Sequence, residues 1–154
     1  MPEWSEDYEL GHEIIDHEHQ RLLELLYWLE RELYEDRQDM DLIRVNALIY
    51  EFTNHVIVHF LHEESLMATL TTMAKEEKEA HKADHRHWKA RILTHIDPLR
   101  VAKTDLERRA HLARILVEGK NFWVEHFEKV DRQLAIHIKG QQLASQAASG
   151  EESV

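Results

Sequence analysis

The sequence predicts an all-α protein, an antiparallel up-down four-helix bundle with an N-terminal arm and a short C-terminal extension. Apolar residues recur with the helical period along most of the chain, and no segment alternates as a strand would. Four glycines and two prolines are all that punctuate 154 residues, so the elements are long and the loops short. A chain of this length is most simply one domain with its own core. The expected division is an arm over residues 1–14, a bundle over 15–139 and a flexible tail over 140–154.

The first helix carries Ile15, His19, Leu22, Leu26, Leu29 and Leu33 in alternating steps of four and three, a single apolar stripe. A break is expected from Asp36 to Asp41. In the second helix Val45, Leu48, Phe52, His59, Glu63, Leu66 and Leu70 share a face. The third, from about Ala74 to His95, aligns His81, His85, Trp88 and Ile92. Asp97-Pro98 should stop it, because proline lacks an N–H and disfavours helix in the residue before it. The fourth should start near Thr104, where Thr104-Asp105-Leu106-Glu107 reads as a capping box. It turns Leu112, Leu116, Trp123, His126 and Val130 inward. The arm is expected to pack Trp4 and Tyr8 on the bundle, and the tail, rich in Gln, Ala, Ser and Glu, to fray.

Composition removes several function classes. A formal net charge of −11 argues against nucleic acid or an anionic membrane as partner. No apolar run approaches the roughly 18–20 residues that span a bilayer. The opening MPEWSEDYEL has no apolar stretch of the kind a secretory signal needs, so a cytoplasmic location is expected. The chain has no cysteine, which leaves nitrogen and oxygen donors and favours iron, manganese, copper or zinc over an iron–sulfur cluster.

Thirteen histidines are far more than chance composition supplies. Two His-x-x-x-His pairs occur, His55/His59 and His81/His85, and residues four apart are neighbours on one helix face. Such a pair alone is weak, because a chain this rich in histidine should hold about one by accident. The stripes carry more weight. His19, His59, Glu63, His81, His85, His126 and Asp131 fall where the helices turn inward, and a buried carboxylate among imidazoles is costly unless something pairs with it. A metal does that, and five imidazoles with two carboxylates suit two ions better than one. His126 and Asp131 are five residues apart, about 140° around an ideal helix, so both can reach one centre only if the helix opens, by a π-bulge, or ends near Val130. His12, His17, His62, His87, His95, His111 and His137 are expected at the surface or behind the ligands. His55 is ambiguous, either supporting the ligands or competing for an ion.

Four blocks then resemble the hemerythrin family, in its single-domain bacterial form, from about Trp4 to Ile138. Residues 15–22, IDHEHQRL, resemble the family's Ile-Asp-x-x-His-x-x-Leu. Residues 59–67, HFLHEESLM, are similar to His-Phe-x-x-Glu-Glu-x-x-Met; 81–85, HKADH, to His-x-x-x-His; and 126–131, HFEKVD, to His-x-x-x-x-Asp. The resemblance implies a non-heme diiron centre. One iron would be held by His81, His85 and His126, the other by His19 and His59, with Glu63, Asp131 and a solvent-derived oxo or hydroxo group between them. The two-histidine iron would keep an open position for dioxygen, and Phe60, Phe122, Trp123 and Phe127 would wall it. The chain departs from the family where Phe122 and Trp123 replace the usual Trp-Leu. Trp123 either narrows the way to the open iron or repacks the core. His12 stands where an aliphatic residue is usual, and the aromatic-proline pair before the third helix is missing.

The function implied is reversible dioxygen binding, as a carrier, store or local supply, in a monomer that hands oxygen to a protein client. An oxygen or redox sensor working through a separate partner is the next reading. A diiron enzyme acting on peroxide or nitric oxide is the third.

Overall fold

A computed structural model describes residues 4–35 and 39–151. Parts of the expected arm, break and tail (residues 1–3, 36–38 and 152–154) lie outside the described residues. Four helical rods run up and down around one core, and no strand occurs among the described residues. The rods are α1 (Glu13–Tyr34), α2 (Leu42–Thr69), α3 (Lys75–Val101) and a last rod made of three pieces. Those are α4 (Asp105–Phe122), a π-helical segment (Trp123–Asp131) and α5 (Arg132–Glu151).

The rods begin where the sequence gives them a cap. Asp41 accepts from the Arg44 amide at 3.1 Å and starts α2. Thr104 accepts from the Glu107 amide at 3.2 Å while Glu107 returns the bond to the Thr104 amide at 3.1 Å, so the capping box forms. Ahead of α1, the Asp16 carboxylate takes the amides of Leu10, Gly11 and His12 at 2.6, 3.2 and 3.0 Å. Gly11, at φ +80°, makes the turn that allows this. Asp16 thereby fastens the arm, and Trp4 and Tyr8 pack half-buried on the core.

Two expectations differ from what forms. α3 runs through Pro98 to Val101 instead of stopping at Asp97. The proline sits in the last turn, where it removes one ladder bond, and the burial of Ile96 and Leu99 holds that turn on the core. The expected tail from residue 140 continues α5 as helix to Glu151. From Lys139 to Gly150 no residue is buried, so this stretch has helical backbone without a packed face. On α2 the buried face is also wider than the expected stripe, since it includes Ile49, Val56 and Met67.

The core divides along the bundle. Toward the end that holds the 34–42 and 101–105 connections, leucines, isoleucines and aromatics of all four rods fill the interior. A smaller apolar cluster of Leu10, Ile15, Met67, Leu70, Met73, Leu134 and Ile138 closes the opposite end. Between these apolar plugs lies a buried polar layer.

Candidate metal centre

The polar layer contains the seven side chains singled out in the sequence. His19, His59, Glu63, His85, His126 and Asp131 are at most 1% exposed, and His81 is 3%. Their placement follows from the helices. His59 and Glu63 are one turn apart on α2, His81 and His85 one turn apart on α3, and His19 sits on the apolar stripe of α1. His126 and Asp131 need the π segment. Its wider ladder brings residues five apart onto one face, as four apart are in an α-helix, and the expected distortion is where the spacing requires it.

Two groups of donor atoms form, Glu63 with His81, His85 and His126, and Glu63 with His19, His59 and Asp131. Within each group the atoms lie within 4.8 Å of one another, a spacing that can hold a metal ion. Glu63 divides its oxygens between them. Oε2 faces the Nε2 atoms of His85, His81 and His126 at 3.0, 3.4 and 3.5 Å, while Oε1 faces those of His59 and His19 at 3.5 and 3.9 Å. Asp131 repeats the pattern, with Oδ1 at 3.1 Å from His126 and 3.4 Å from His81, and Oδ2 at 3.5 Å from His19. Each carboxylate spans two histidine sets.

The buried atoms pointing into this layer are poorly satisfied by protein. Nε2 of His19, His59 and His126, Oε1 of Glu63 and both oxygens of Asp131 are buried without a hydrogen-bond partner. Such groups cost free energy unless something not made of protein completes them. A donor set of imidazole nitrogens and carboxylate oxygens fits a metal of the kind that composition favours.

Four of the five outward nitrogens are occupied. His59 Nδ1–H donates to Glu18 at 3.1 Å, His85 Nδ1–H to Glu64 at 3.0 Å and His126 Nδ1–H to Asp84 at 2.6 Å. His19 Nδ1–H reaches the Tyr8 carbonyl at 3.4 Å. Each contact fixes the tautomer that leaves Nε2 free to bind a metal and raises its basicity. The sequence reading missed Glu18 and Asp84. No local signal marked them, because Glu18 lies beside His19 and Asp84 beside His85, yet each bonds a histidine of another helix. Glu18 also accepts from the half-exposed His62. His55 joins neither donor group. His137, at the surface of α5, bonds Thr72 at 2.9 Å.

Without metal the layer is electrostatically tense. Burial alone would raise the Glu63 carboxyl, but His59, His126, His19 and His81 outweigh it and hold it well below the usual carboxylate range. For His126 burial works downward, yet Asp131, Asp84 and Glu63 hold it well above the ordinary histidine value. His59 is likewise raised by Glu63 and Glu18 against its burial, whereas burial wins at His19 and His85 and lowers both.

The four expected wall residues are buried but divide between the halves. Phe60 stacks on His85 at 3.9 Å and Phe122 on His126 at 4.7 Å, so both belong to the three-histidine half. Phe127 meets His19 edge-on at 3.9 Å and stacks on Trp123 at 3.8 Å. Tyr8 closes over Trp123 at 5.5 Å. The two-histidine half is thus covered by Phe127, Trp123 and the arm.

Comparison with known proteins adds one distant relative. The bacteriohemerythrin of Clostridium acetobutylicum is 23% identical over 134 residues, which cover 84% of this chain and 95% of that one. It points to a hemerythrin-like chain. No family model matches the sequence, and no solved structure matches it. Among the described residues no helix is long and apolar enough to cross a membrane.

Proposed function

We propose that this chain binds dioxygen reversibly at a non-heme pair of iron ions, as an oxygen carrier, store or local supply. The observation that carries the reading is the division of one buried donor layer into a three-histidine half and a two-histidine half, spanned by the same two carboxylates. His81, His85 and His126 would hold one iron and His19 and His59 the other, with Glu63 and Asp131 shared. That leaves the second iron one protein ligand short of the first. When bound, the two irons supply the two electrons that dioxygen uptake requires and recover them on release. The likeness to a bacteriohemerythrin supports the same assignment.

The protein's own contribution is orientation and dryness. Glu18, Glu64, Asp84 and the Tyr8 carbonyl hold four of the five imidazoles with Nε2 inward. Asp16 matters at one remove, because fastening the arm keeps the Tyr8 carbonyl at His19. Phe127, Trp123 and Tyr8 cover the two-histidine half with aromatic surface, which suits a neutral diatomic ligand and keeps out the water and protons that would make oxidation irreversible.

The test is an oxygen titration of the iron-loaded, reduced chain, cycled between air and argon. A carrier takes up one dioxygen per pair of irons and returns it over many cycles. A chain that consumes peroxide many times per site, or oxidises once and stays ferric, is not one.

A further inference from the structure

The outer face of α2 differs from the rest of the surface. Ile43, Tyr50, Ile57, Val58 and Leu61 are 86, 74, 42, 36 and 57% exposed. With Ala47 and Asn54 between them they follow steps of four, three, four, three and four from Ile43 to Leu61, on the side of the helix away from the core. Over residues 42–61 the charged residues are Arg44 and Glu51, against 32% over the whole chain. Both are drawn toward α1, Arg44 to Glu32 at 2.6 Å and Glu51 to Arg21. Arg44 and Glu51 border the seam on the side of Val58, and it carries no other charged residue.

We propose that this seam is the contact between two copies of the chain, packed α2 against α2 in antiparallel fashion about a two-fold axis at Asn54. The pattern is complementary to itself. A two-fold axis at residue 54 sets Ile43 opposite Ser65, Ala47 opposite Leu61 and Tyr50 opposite Val58, while Ile57 lies over the aliphatic stem of Glu51, whose carboxylate is held by Arg21. Asn54 meets its own copy, and two facing amides can each donate and accept. Asn54 makes no hydrogen bond among the described residues. A lone asparagine in an apolar seam fixes register and partner number.

Charge selects this face. With a net charge of −11, two copies repel each other over most of their surfaces and come together most easily where charge is absent. The exposed apolar side chains amount to roughly 500 Å², within the range of the largest patch on a monomer, which is often functional. That is below the ~800 Å² per partner of a standard interface, so the contact is of the weak, reversible kind. The metal layer lies on the opposite face of α2, so pairing leaves it closed.

Sedimentation of the full chain from about 1 to 200 μM, with and without Leu61→Glu, tests the proposal. Leu61 is surface-exposed, so the variant keeps its fold and its metal. The expected result is a reversible monomer–dimer equilibrium in the parent and a monomer throughout in the variant. The chain has no cysteine, so Asn54→Cys carries the sole thiol on the axis. It should oxidise to a covalent dimer far faster than Val117→Cys, which places the thiol on an exposed face of α4. A parent that stays monomeric at 200 μM overturns the proposal. So does association that Leu61→Glu leaves unchanged, or cross-linking no faster at residue 54 than at 117.

Discussion

At the scale of single residues, the centre rests on atoms that the protein alone does not satisfy. Glu63 is the key case, because its two oxygens face both histidine sets. Glu63→Ala should lose most of the bound iron while far-ultraviolet circular dichroism keeps its helical signal; full loading of two irons would contradict the assignment. Asp84→Asn keeps the shape beside His126 but removes the charge that steadies its imidazole. It should weaken metal binding about 10- to 100-fold, measured by competition with a chelator. Proton linkage sets a third expectation. The raised His126 stabilises the metal-free fold below its titration and loses that contribution as pH rises through it, whereas the depressed Glu63 contributes above its titration and loses it on acidification. Metal must displace the His126 proton, so iron retention should fall steadily as pH drops below neutral. Retention independent of pH from 8 to 5 would speak against histidine ligation.

At the scale of elements, the bundle depends on how closely α4 approaches α1. A Cβ at Gly119 would lie 2.6 Å from Leu26 Cδ2, and Leu26 is itself buried. Gly119→Val should therefore cost about 2 kcal/mol in urea denaturation, since Leu26 has no free space to enter. The π segment, by contrast, was readable in advance. Two inward residues five apart cannot share a face of a regular helix, so either the ladder opens or one of them is not a ligand. The end of α3 was not readable, because the rule against proline in a helix says nothing of the last turn, where buried Ile96 and Leu99 outweigh one lost bond. The continuation of α5 was hidden for a related reason. Its Gln, Ala and Ser residues have no packing pattern to reveal a helix that makes little use of packing. Behind the ligands, Glu18 and Asp84 were invisible because an acidic residue beside a buried histidine looks in sequence like any surface charge.

At the scale of the whole molecule, the arrangement is two apolar plugs with a buried polar layer between them, roofed by an arm that Asp16 fastens in place. The four rods and the inward turn of the seven donor residues followed from helical period and from the cost of burying charge. The sharing of Glu63 and Asp131 between two halves was implied by the family resemblance and not by spacing, because spacing along a chain does not say which oxygen faces which imidazole. The outer seam of α2 is where the proposed pair would form, against the expectation of a monomer from the sequence. The central claim is that one layer holds two irons together. The most direct measurement is iron analysis with Mössbauer spectroscopy on the chain loaded anaerobically with iron-57 and then oxidised. The account predicts two irons per chain forming one magnetically coupled pair. A single iron, or two that behave independently, would contradict it.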